Sequence, residues 1–130
     1  DLDVDGSMRM KTYYEVAQTV TSSANVVTIN LSQAQTFLLT TTEEVSRFNL
    51  TGATASSTTT FTIKITQGAT GRSVDILEFR KVDGSEIPVY WNGSINPVVT
   101  TTASKTDIYS FMTFDGGESL YGVVTGQNFG

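Results

Sequence analysis

Apolar and polar residues alternate one by one along most of this chain, and the alternation stops where Gly, Ser, Asn and Asp gather. A period of two is the mark of extended strands, whose side chains point to opposite faces in turn. The clearest run lies at residues 106–125, where two β-branched and aromatic arms flank Asp115-Gly116-Gly117-Glu118. Short side chains and glycine at those four positions predict a tight hairpin. Its incoming arm places Ile108, Ser110, Met112 and Phe114 on one face and Tyr109, Phe111 and Thr113 on the other. Bulk on both faces predicts a strand in the middle of the domain, or one with a core on one side and a neighbouring subunit on the other.

Taken in order, residues 9–21 predict a long strand with Met10, Thr12, Tyr14 and Val16 on one side. After a turn at 22–25, strands are predicted at 26–31, 36–41 and 45–50, close enough together to imply a meander. Residues 51–57 are small and polar, a loop. Phe61, Ile63 and Ile65 then alternate with Thr62, Lys64 and Thr66, and the chain turns at 67–71 to return through 73–79 as a second predicted hairpin. Residues 87–91 form a brief strand that Pro88 confines to an edge or an end, and 98–102 form another. Eight to ten short strands at this spacing predict an all-β fold, an antiparallel β-sandwich that is jelly-roll-like. Residues 1–8 are expected as an extended lead-in or stem segment, and 9–130 as a single sandwich domain. The sequence has no repeat of fixed period.

Composition narrows the chemistry. Charged residues make up 16% of the chain, where about 25% is usual, and Thr and Ser fill the difference. The net charge of −5 argues against nucleic acid, which needs clustered Lys and Arg. Cys and His are both absent, which removes thiolate nucleophiles, sulfur-ligated metals, most triads and the commonest metal ligand. No apolar run approaches the roughly 20 residues of a membrane span, so no membrane insertion is expected. The chain opens on Asp1 without Met, which is compatible with a piece of something longer.

Residues 1–6 match the start of a calcium loop, D-x-D-x-D-G, but Thr12 stands where the loop needs a bidentate Glu and no helix flanks it. Neither a metal nor another cofactor is expected. Carboxylate pairs for glycoside hydrolysis could come from Asp75 with Glu78, Asp83 with Glu86, or Asp115 with Glu118. The last two pairs sit in or beside turns, where carboxylates shape loops, so no residue is assigned a catalytic role. Sugar binding asks only for exposed rings with polar neighbours. Tyr90 and Trp91, beside Asn92 and Asn96, are the first candidates, and Tyr13 with Tyr14 the next. Adjacent rings on a strand face opposite ways, which predicts that one of each pair is core. Asn30, Asn49 and Asn92 open N-x-S/T sequons, which matter only in a secreted eukaryotic protein.

Trp91-Asn92-Gly93 with Pro97, the run Asp107-Ile108-Tyr109-Ser110-Phe111, Asp115-Gly116-Gly117, Tyr121-Gly122 and the closing Gly126-Gln127-Asn128-Phe129 resemble the C-terminal module of phage tail fibres and related small virion proteins. The Asp-rich opening resembles the segment that often precedes that module. Leu120 departs from the pattern, which has an aromatic residue there, most often Trp. The resemblance implies a non-enzymatic virion protein in the phage tail or on the particle surface, homotrimeric, touching other virion proteins and a host-surface receptor or glycan. A decoration or adaptor subunit without a receptor role, and a carbohydrate-binding or -cleaving domain, are the alternatives.

Overall fold

The computed structural model describes residues 2–130, leaving Asp1, the first position of the expected lead-in and of the calcium-like pattern, outside the described residues. The chain is almost entirely β. Its strands are β1 (Ala17–Val20), β2 (Val26–Asn30), β3 (Thr36–Thr40), β4 (Arg47–Thr51), β5 (Thr59–Thr66), β6 (Phe79–Arg80), β7 (Glu86–Ile87), β8 (Val89–Trp91), β9 (Thr106–Thr113) and β10 (Leu120–Phe129). They form a six-stranded sheet in the order β1-β3-β5-β9-β10-β8 and a four-stranded sheet in the order β2-β4-β6-β7.

Both sheets are mixed, and here the structure corrects the expectation of antiparallel pairing throughout. β1, β3 and β5 pair in parallel, as do β2, β4 and β6. Parallel neighbours need a crossover, usually a helix. In this chain the crossover is the intervening strand of the other sheet, so residues 17–80 wind as a two-sided coil. The predicted meander is therefore a winding, and the predicted hairpin of 61–79 is a crossing from one sheet to the other. Alternation records which face a side chain takes, whereas the neighbouring strand leaves no mark in it. The coils are unequal, with Ala17 beside Thr36 but Thr36 beside Thr62, which is why no period shows in the sequence.

The C-terminal hairpin forms as predicted, antiparallel, with β9 held between β5 and β10. Pro88 separates two edge strands: β7 closes the small sheet and β8 the large one. Residues 98–102 form no strand, and only Val99 among them is buried. At the other end, the long strand expected from residue 9 shrinks to β1, and residues 2–16 form an exposed arm that bends at Asp5, Gly6 and Lys11.

One core lies between the sheets, and aromatic rings cross it. Phe111 stacks on Phe61 at 5.0 Å and meets Phe79 of the small sheet at 5.1 Å, while Phe79 stacks on Phe48 at 5.2 Å. Trp91 sits edge-on to Phe111 and Tyr109 at 5.5 and 6.1 Å. Phe111 and Phe79 thus each touch both layers, and truncating a buried ring of this kind costs about 3–5 kcal/mol.

Candidate interaction face

Two polar centres fix the C-terminal hairpin and so position everything on it. Asp107, buried on the inner face of β9, accepts hydrogen bonds from the Thr100 N–H (2.8 Å), the Asn128 N–H (2.9 Å), the Tyr109 hydroxyl (2.8 Å) and the Gln127 side-chain amide (3.1 Å). Burial alone would raise its pKa. The donors, led by the Thr100 and Asn128 backbone, outweigh that and hold it below the ordinary carboxylate value. Burial, together with the bond to Asp107 and its charge, pushes the Tyr109 hydroxyl well up. The Asp107 run and the closing Gln127-Asn128 singled out in the sequence therefore form a structural clamp.

Asp115 does the same for the loop. Its Oδ1 accepts from the Thr113 hydroxyl and from the N–H groups of Glu118 and Ser119, each at 3.0 Å, and its Oδ2 from the Ser119 hydroxyl at 2.6 Å. The Ser119 bonds lead in drawing its pKa down to about 2. Gly116 and Gly117 supply the positive φ of 70° and 90° that this turn requires.

The remaining carboxylate candidates are engaged in similar ways. Asp75 accepts from the Leu77 N–H at 3.0 Å, and Asp83 from the Ser85 hydroxyl and N–H at 2.6 and 2.9 Å. Glu78 and Glu86 both pair with Arg80, and Glu118 with Lys81. Among the described residues no group of three or more His, Cys, Asp or Glu side chains is placed to hold a metal. No helix of the described residues is long and apolar enough to cross a membrane.

The six sequence candidates are dispersed. Trp91 is a core ring, 8% exposed, which corrects its reading as a surface contact; it faces Gly122 of β10, where a Cβ would sit 2.6 Å from the indole. Trp91 also lines, with Asn92, Ile95, Pro97, Val124 and Gln127, a hollow of about 260 Å³. Tyr90 points the opposite way, to the outer face of the large sheet. Asn92 and Asn96 are exposed in the loop after β8, which opens with a short 3-10 turn at Asn92–Ser94. Tyr13 and Tyr14 lie on the arm that precedes β1, bordering a hollow with residues 31–35, and both are exposed. The rule that one of each adjacent pair is core holds for Tyr90 and Trp91 but fails for these two, because no layer covers either side of the arm.

What the fold does bring together is an apolar ladder on the outer face of the large sheet. The register aligns Thr60, Met112, Tyr121 and Tyr90 across β5, β9, β10 and β8. Tyr121 lies 5.5 Å from Tyr90 and 5.7 Å from Phe114. Val123 continues the row, and it borders with Met112, Phe114 and Tyr121 a groove of about 410 Å³. Phe114, Tyr90 and Tyr121 are each half exposed. Ile108, Met112 and Phe114 were legible in the sequence as a second apolar face. Tyr121 and Val123 were missed, although their alternation with Leu120 and Gly122 carries the signal.

Against known proteins, the chain matches no family model, no curated protein and no solved structure. Fold and surface thus define its class by themselves: an all-β chain of two packed sheets with an uncovered apolar face.

Proposed function

We propose that this chain is a non-enzymatic structural module of a phage particle, the C-terminal part of a tail fibre that assembles as a homotrimer and serves attachment to the host surface. The uncovered ladder of Tyr90, Met112, Phe114, Tyr121 and Val123 carries the reading. Contiguous apolar surface rimmed by hydroxyl and charged residues is what an interface between subunits needs. A clamp and a turn built on Asp107 and Asp115 support a scaffold role, because both spend their carboxylates on holding backbone. The occupied carboxylates of the other turns weigh against glycoside cleavage.

Sedimentation of the intact chain tests the assembly, with a mass of three chains at micromolar concentration expected and a single-chain mass at all concentrations counting against it. Binding of the labelled protein to an array of bacterial envelope glycans tests attachment. A trimer that binds nothing on the array or on intact host cells is the decoration or adaptor subunit instead. The hollow beside Trp91 and Asn92 favours a sugar contact as the second reading, and loss of an array signal on Asn92→Ala, with the fold unchanged, would place it there.

A further inference from the structure

The arm and the ladder are two apolar surfaces without cover, and both belong to this chain. From residue 2 to residue 16 the even positions read Leu2, Val4, Gly6, Met8, Met10, Thr12, Tyr14, Val16, whereas the odd positions are polar apart from Tyr13. That is strand-like alternation with a mostly apolar edge, interrupted at Gly6 and Thr12, yet every residue of it is exposed. Among the described residues the arm is tethered at its inner end, where the Gln35 and Thr36 N–H groups approach the Val16 carbonyl and the Thr36 hydroxyl donates to Glu15. It leaves from the start of β1, at the end of the large sheet where β9 finishes and β10 begins, the end that carries Phe114 and Tyr121.

We propose that residues 2–12 of one copy lie along the Met112, Phe114, Tyr121 and Val123 groove of a neighbouring copy. The inference rests on the self-association proposed above and names the surfaces that meet. Drawn out as a strand, the eleven residues 2–12 reach about 36 Å, enough to leave one subunit and cross the face of the next. With the even positions down, Asp3, Asp5, Arg9 and Lys11 stay in water. Arm onto face is a heterologous contact, in which each copy gives one surface and receives on another; where the rotation between copies closes, as in a trimer, such contacts form a ring. Packing face on face would cover the ladder and leave the arm bare.

The absence of native Cys makes cross-linking clean. Full-length chain carrying Met8→Cys is mixed with chain carrying Val123→Cys and oxidised, while Val4→Ser, Met8→Ser and Met10→Ser are combined in a third protein and its mass is followed with dilution. A disulfide between the two different copies, and a dissociation concentration raised tenfold or more in the triple variant, are expected. The substituted residues lie outside every strand, so the variant keeps the fold, and its circular dichroism checks that. If the parent associates but the triple variant keeps its mass and residues 8 and 123 do not join, the arm proposal is overturned and the self-association stands. Disulfides between two copies of residue 8 alone mean that the arms twine together, which also overturns it. A parent that is monomeric throughout removes both.

Discussion

At the scale of single residues, the chain places its charge where it organises backbone. Asp107 gathers donors from three segments, the 92–105 loop, β9 and the end of β10, so its removal affects all three. Asp107→Asn leaves a buried amide group facing donors, and stranded donors cost about 1–3 kcal/mol each. A loss of roughly 2–3 kcal/mol at pH 7 is expected, read as a lower urea midpoint. The pH dependence follows from the direction of the shifts. Asp107 and Asp115 both titrate below the ordinary 3.8 when folded, Asp115 at about 2. The stability they contribute is therefore complete above the unfolded value and is lost as pH falls through the folded ones. Urea midpoints of parent and Asp107→Asn should converge as pH is lowered from 4 towards 2. A constant gap over that range would show that the Asp107 charge is not what the donors hold.

At the scale of elements, the parallel pairing of β10 with β8 depends on a missing side chain. Gly122 lies opposite Trp91, and its Cα carries nothing because the indole occupies the space. Gly122→Ala forces the ring away from Tyr109 and Phe111, an overpacking worth about 1–3 kcal/mol. Trp91 is the sole tryptophan, so the displacement should appear as a red-shifted emission together with a lower melting temperature; an unchanged spectrum would mean that the strand, not the ring, gives way. This glycine also shows what the sequence holds and what it hides. Period two displayed the strands and their faces, and the C-terminal hairpin with its Asp-Gly-Gly turn was legible outright. That Trp91 and not Tyr90 turns inward was not, because alternation separates two neighbours without saying which is inside. A glycine within a strand marks close approach of another group, and Gly122 was the available clue. Partner strands stayed hidden for a deeper reason: Val27, Ile29, Phe37 and Leu39 look alike whether successive strands fold back on one sheet or pass between two. The arm misled in the opposite way, since its alternation has the form of a sheet strand while the layer that would cover it is not part of the same fold.

At the scale of the whole molecule, the surface chemistry decides what kind of force can hold copies together. The ladder is aromatic and aliphatic, and the nearby hydroxyls of Thr60, Thr62, Ser110 and Thr125 carry no charge. On the arm, acidic and basic residues sit on the edge away from the apolar row. Association through these surfaces removes apolar area from water, a driving force that ordinary salt screening leaves nearly untouched. A net charge of −5 per copy gives a weak mutual repulsion that salt would relieve. The proposed trimer should therefore hold or tighten slightly as NaCl rises from about 0.05 to 0.5 M, over which the screening length falls severalfold, and should tighten further in sulfate, which strengthens apolar burial. Sedimentation across that series distinguishes the two kinds of contact. An interface made of ion pairs would loosen steadily with NaCl, and that result would move the contact from the ladder to the charged edges of the turns, where Arg80, Lys81 and their glutamate partners lie.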